Sequence, residues 1–235
     1  MSTPRLLALV LVLAGLRLGV DPVAAELAGT LGAALAALRF SPGDPPRRPW
    51  LLRAVALSLV MSAHALQRLG LVGEHRLDYL LLIVANIVGA LALLGFLRVI
   101  RQSGLTVPLR RSERVVAVLI ACATLGVVAW ILAALVFHSL RDVAVAVSTL
   151  CDAVVFTTAA LLLRHVLPMR GGLVAQPYFL LAVDGLCFLA LDLAHALRPI
   201  PGPVVAPLGA LGGATGGAAG FAQAALVRRS ARLSR

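Results

Sequence analysis

The chain has 235 residues, 60% of them hydrophobic and 13% charged, with a mean hydropathy of +0.98. Ordinary soluble domains carry roughly 25% charged residues, so a single soluble domain is excluded and a polytopic membrane protein is expected. The net charge of +11 rests on 21 arginines and no lysine; a retinal Schiff base is therefore impossible, and arginines lying between apolar runs read as topology signals rather than a nucleic-acid surface.

A spanning helix needs about 20 mostly apolar residues. The first forty residues admit two readings. "LLALVLVLAGL" (6–16) is short, and Arg17 and "DP" (21–22) separate it from "VAAELAGTLGAALAALRF" (23–40). This pattern fits two short helices with a break at "RLGVDP". It also fits a signal peptide over residues 1–25, with Arg5, an apolar stretch and "VAA" before Glu26. Six clear spans follow: 49–66, 77–97, 115–137, 143–163, 173–197 and 202–227. The expected fold is an all-α membrane bundle of eight helices, or seven if the leader is removed. It forms one integral domain of helical hairpins at approximately 4–40, 49–100, 113–166 and 173–229.

Charge sets the expected orientation. Arg39, Arg47, Arg48 and Arg53 lie in one turn region, and Arg98, Arg101, Arg110, Arg111 and Arg114 in another. Arg164 and Arg170 flank a third, and Arg228, Arg229, Arg232 and Arg235 end the chain. The alternate turns carry only Arg68 and Arg76, then Arg141, then Arg198. By the positive-inside rule the arginine-rich ends and the C-terminus face the cytoplasm of a bacterial inner membrane.

The hairpins echo one another. "AHALQR" (63–68), "FHSLR" (137–141) and "AHALR" (194–198) place His64, His138 and His195 before successive arginine-poor turns. "AGLR" (14–17) and "ALRF" (37–40) read as a degraded first copy, which favours two N-terminal helices over a leader. The three histidines fit interfacial anchors near helix C-termini, whose partial negative charge favours a proton donor.

Ionisable residues at mid-bilayer cost a few kcal/mol. Glu26, Asp152, Asp184 and Asp192 fall inside apolar runs, with Asn86 as a neutral companion. At about 100° per residue, Asp184, Asp192 and His195 project from one side of their helix, and Asn86 and Asp152 correspond between hairpins. A polar seam inside the bundle is expected. It could serve interhelical hydrogen bonding, ligand binding or proton passage. A metal would use Asp192 and His195 at i, i+3, and a bis-histidine haem would use His64 and His195. No cofactor or metal is the expectation, because Cys122, Cys151 and Cys187 lie in apolar runs without ligand spacing and read as small buried hydrophobes. "GALGGATGGAAG" (209–220) repeats small residues at i, i+4, which lets a neighbouring helix approach closely. G-x-S-x-G, H-E-x-x-H and P-loop signatures are absent.

Two resemblances add expectations. "LALDLAHAL" (189–197) and the successive hairpins resemble the membrane sensor modules that precede bacterial kinase or cyclic-dinucleotide domains. That likeness implies a free-standing sensor with a separate signalling partner, since no output domain follows Arg235. The last two helices, with "DGLCFLALD" (184–192) and "FAQAAL" (221–226), resemble the lysoplasmalogenase-like eight-helix family. There Asp192 takes the place of an acid and Gln223 that of the "AQ" glutamine, which implies lysolipid hydrolysis with Asp192 as the catalytic acid. "RP" (48–49) stands for the family's "KP", and "GA" (89–90) stands where that family has "GD", so an earlier acid is missing.

The expected function is a sensor-like or scaffold module that binds a membrane lipid or small apolar ligand at the seam. The candidate residues are Asp184, Asp192, His195, Asp152, Asn86, His64 and Gln223. A membrane hydrolase and a small proton-coupled transporter are the alternatives.

Overall fold

The computed structural model describes residues 2–19, 22–71, 76–104, 110–134, 139–167, 175–197 and 202–233. Within the helices, the side chains of residues 192–197 and 229–233 and a few others lie outside the described set. Eight helices are described: α1 (Thr3–Gly19), α2 (Pro22–Arg39), α3 (Arg47–Arg68), α4 (Leu77–Gln102), α5 (Arg111–Ala134), α6 (Leu140–Val166), α7 (Ala175–Leu197) and α8 (Gly202–Leu233). No strand occurs among the described residues. Lipid offers backbone groups no hydrogen-bond partners, so a helix that satisfies its own is the natural solution. Four stretches are long and apolar enough to cross a membrane among the described residues: α3, α4, α6 and residues Arg111–Trp130 of α5.

Local chemistry sets the helix ends. Pro49 and Pro177 sit in the first turns of α3 and α7, where a missing N–H breaks no helical bond. Ser139 and Asp142 form a reciprocal capping box at the start of α6. Gly70 and Gly104 follow α3 and α4 with φ of +65° and +72°, a conformation glycine adopts without steric penalty.

The helices run past several of the boundaries expected from hydropathy. α4 continues from residue 97 to Gln102, α6 to Val166 and α8 to Leu233. Arginine tolerates this because its methylene stem lies along the apolar surface while the guanidinium reaches the headgroups. The arginines therefore mark headgroup level rather than the ends of helices.

Six helices close into a ring in the order α2, α3, α4, α6, α7, α8 and back to α2. The hairpins are unequal. α3 with α4 and α7 with α8 pack extensively, whereas α1 lies outside the ring against α8 and α2. α5 touches α6 lightly and leaves α4 to pack directly on α6. α1 still belongs to the core, because Leu6, Val10 and Leu13 are buried in its main cluster.

Glycine and alanine explain how α8 fits. A Cβ on Gly220 would stand 2.5 Å from Ala33 N and 2.6 Å from Gly32 O, so the backbones of α2 and α8 are in near contact there. Gly29 and Gly217 meet the same way one turn further along. The expected close approach to the glycine-rich helix is made by α2 and extends to α7, where a Cβ on Gly212 would stand 3.0 Å from Cys187 Cβ.

Packing is uneven along the bundle axis. Near the arginine-rich end, Trp50, Phe96, Leu93, Ile100, Leu162 and Leu181 are fully buried. Trp50 and Phe96 meet edge to face at a centroid distance of 4.8 Å, and Phe96 and Tyr178 at 6.0 Å. This aromatic plug seals that half of the ring, while the other half encloses a cavity.

Two expectations are corrected. Arg53 does not belong to the arginine-rich turn; it points into the bundle and is buried, because Trp50, Arg53 and Ala54 share one inward face at i, i+3, i+4. Cys122 is not a buried hydrophobe, since it lies on the exposed side of the peripheral α5; Cys187 is buried and Cys151 half-buried.

Candidate functional site

The cavity holds about 490 Å³ and lies inside the ring. It extends from Tyr79 and Arg141, near the arginine-poor ends of α4 and α6, down to Arg53 and Asp184. Asp184 is nine residues into α7, about 14 Å of helix. Leu57, Val60, Leu82, Leu93, Val145, Val155, Phe188 and Leu191 supply apolar wall, and Gly29, Gly89 and Gly213 supply wall without side chains.

Two buried ion pairs bound it. The Arg53 guanidinium of α3 bonds the Asp184 carboxylate of α7, with Asp184 1% exposed and Arg53 7%. These helices are not ring neighbours, so the pair braces the bundle across its interior and forms the cavity floor. The absence of a side chain at Gly216 makes room for it: a Cβ there would stand 2.6 Å from Asp184 Oδ1.

The second group joins α1, α2 and α3. Glu26 Oε1 is 2.7 Å from His64 Nδ1 and 3.5 Å from Arg17 NH2, and Glu26 is only 3% exposed. Arg17 reaches the ring interior from outside because a Cβ on Gly213 would collide with its guanidinium. On the opposite wall, Ser148 donates to Asp152 Oδ2 at 3.1 Å, with Asn86 also at the surface of the cavity. Among the described residues, Glu26 Oε2, Asp184 Oδ1 and Arg53 Nε are buried without a hydrogen-bond partner.

Of the residues singled out from sequence, Asp152, Asp184, Asn86 and His64 line this one cavity. Gln223 is buried in α8 but does not line it. Asp192 and His195 lie on the backbone of α7 with side chains outside the described residues, and His138 lies outside them altogether. No cluster of three or more metal-ligating side chains occurs among the described residues. Sequence reasoning missed Arg17 and Arg53 as site residues, because each was read as punctuation between apolar runs. The available signal was their position: Arg53 falls six residues into α3, and Arg17 in the last turn of α1 precedes Glu26 in the first turns of α2 by nine residues.

Chemically, the site is an apolar chamber with fixed, mutually neutralised charges. Each acid–base pair cancels most of its own field, so burial is tolerated. Asn86, Ser148 and Asp152 add polar side chains to the wall. Replacing Glu26 with Gln keeps the shape but removes the charge that holds Arg17 and His64. We expect Glu26→Gln to lower stability by about 1–3 kcal/mol, read as earlier thermal unfolding in detergent. An unchanged melting profile would show that the Arg17–Glu26–His64 group holds nothing together.

The class defined by this fold and chamber is an all-α membrane helix bundle with an internal, largely apolar cavity that holds buried ion pairs. No protein-family model, curated protein or solved structure matches the chain.

Proposed function

We propose that the protein is a sensor-like or scaffold module of the bacterial inner membrane that binds one small amphiphile in the cavity. The observation that carries this reading is a chamber of about 490 Å³ combining apolar walls with Asn86, Ser148, Asp152 and two neutralised ion pairs. Small-molecule sites typically span about 300–1,000 Å³, with mostly apolar walls and a few placed polar groups. A lysolipid-sized ligand would lay its chain along Leu57, Val60, Leu82 and Phe188 and set its polar part against α4 and α6. Pure packing would be served better by filling this space, since voids forfeit dispersion contacts. By the positive-inside rule the arginine-rich end and the C-terminus are cytoplasmic, so the plug faces the cytoplasm and the ligand enters from the opposite side. A separate signalling partner would then read the packing of the plugged half.

Gly89 offers a direct test. It lines the cavity, and a Cβ there would meet only Ala56 at 3.9 Å, so a side chain can grow into the space. We expect Gly89→Trp to weaken binding of a nitrobenzoxadiazole-labelled lysophosphatidylcholine by at least about tenfold, ~1.4 kcal/mol. Gly89→Ala should bind as the parent does. Equal binding by the tryptophan variant, or no saturable binding by the parent, would reject the reading.

A further inference from the structure

A second site lies outside the ring at the arginine-rich end of α4. Leu94, Leu97, Arg98, Arg101 and Gln102 line a groove of about 310 Å³. Leu94, Leu97, Arg98 and Arg101 follow at i, i+3, i+4 and i+7, which places them on one face of the helix. Leu94 is exposed on the helix surface, and both arginines and Gln102 are exposed in its last two turns. Leu94 thus leads along the groove toward two cations and an amide, while Leu97, buried in the main cluster, contributes only to its base.

The charge around this groove is lopsided. Two acids, Asp44 and Glu113, lie in the helix-terminal regions at this end of the bundle. Both are engaged locally: Asp44 accepts from Ser41 N at 2.7 Å, and Glu113 accepts from Arg110 N at 2.8 Å and from Arg164 at 2.9 Å. Among the described residues, neither Arg98 nor Arg101 has an ion-pair partner. The positive-inside rule needs only arginines somewhere in a turn. It does not need two on one helical face, above a pair of leucines and beside an amide.

We propose that this groove holds one anionic phospholipid of the leaflet at the arginine-rich end. One acyl chain lies against Leu94 and Leu97, the phosphate sits between Arg98 and Arg101, and Gln102 donates to a headgroup oxygen. Arginine matches phosphate oxygens with a planar fork of donors, which suits it to this task. The site is separate from the interior cavity and does not depend on what that cavity binds.

The test is native mass spectrometry of the full chain in detergent, with phosphatidylglycerol and phosphatidylcholine of identical chains added in competition. One phosphatidylglycerol should be retained in preference to phosphatidylcholine. Arg98→Gln with Arg101→Gln should reduce that preference by about 25-fold, the product of about fivefold for each arginine near a charged membrane surface. Arg111→Gln with Arg114→Gln, at the same end but outside the groove, should leave it intact. Leu94→Trp should reduce retention of both lipids while leaving unfolding unchanged, as a surface substitution does. Equal loss in the two arginine pairs would overturn the site in favour of diffuse surface charge. Displacement of the lipid by millimolar glycerol phosphate would also overturn it, because the leucines would then contribute nothing.

Discussion

Replacing Arg53 with Met should lower the stability of the bundle by about 3–5 kcal/mol, because it strands the Asp184 carboxylate in the interior. Asp184 is 1% exposed, and its other oxygen, Oδ1, has no partner among the described residues. The aromatic plug of Trp50, Phe96 and Tyr178 closes the approach from the arginine-rich half of the ring, and water reaching the carboxylate through the cavity would supply no compensating charge. Asp184→Leu should cost a similar amount by stranding Arg53. The double variant should regain much of the loss, since removing both charges also removes both desolvation penalties. For a chain of this size the single substitutions correspond to a fall in melting temperature on the order of 10 °C, measurable from tryptophan fluorescence during heating in detergent. Strictly additive losses in the double variant would show that Arg53 and Asp184 do not depend on one another. The cross-brace between α3 and α7 would then have to be abandoned.

The second large effect is expected at the junction of α2 and α8. Gly220→Val would drive a branched side chain into the backbone of Gly32 and Ala33, where even a Cβ would lie 2.5 Å from a main-chain nitrogen. Backbone cannot rotate away as a flexible side chain can, so the two helices must separate. Overpacking of a core typically costs about 1–3 kcal/mol and occasionally more; the upper end is expected here, because the separation also pulls Gly29 away from Gly217 and loosens the ring. Gly126→Val is the control. Nothing lies within 4 Å of a Cβ there, on a helix that touches the bundle lightly, so its effect should stay within about 0.5 kcal/mol. Equal stabilities for the two variants would mean that α2 and α8 do not meet at their glycines.

Much of the architecture was legible from hydropathy alone. Lipid demands helices, and each helix needs an apolar run of a given length, so all-α character and the approximate position of every helix follow from where apolar residues cluster. Inward acids were legible for the same reason: a carboxylate such as Asp184 or Asp152 is too unfavourable in lipid to sit there without a partner. The small-residue repeat of α8 likewise announced a close helix contact, though not with which helix.

Tertiary structure alone decided which helices close the ring and which stand outside it. Hydropathy has one dimension and treats α5 like α4, although α4 packs past it onto α6. The partners of the acids were hidden by the same limit. Arg17 and Arg53 look like boundary markers along the chain, because charge counting records that an arginine is present and not which way it points. Only folding aligns Gly213 and Gly216 with those arginines and leaves room for guanidinium groups at Glu26 and Asp184. Apolar runs tell a helix to enter lipid; the absence of two glycine side chains tells it where a charge can be buried.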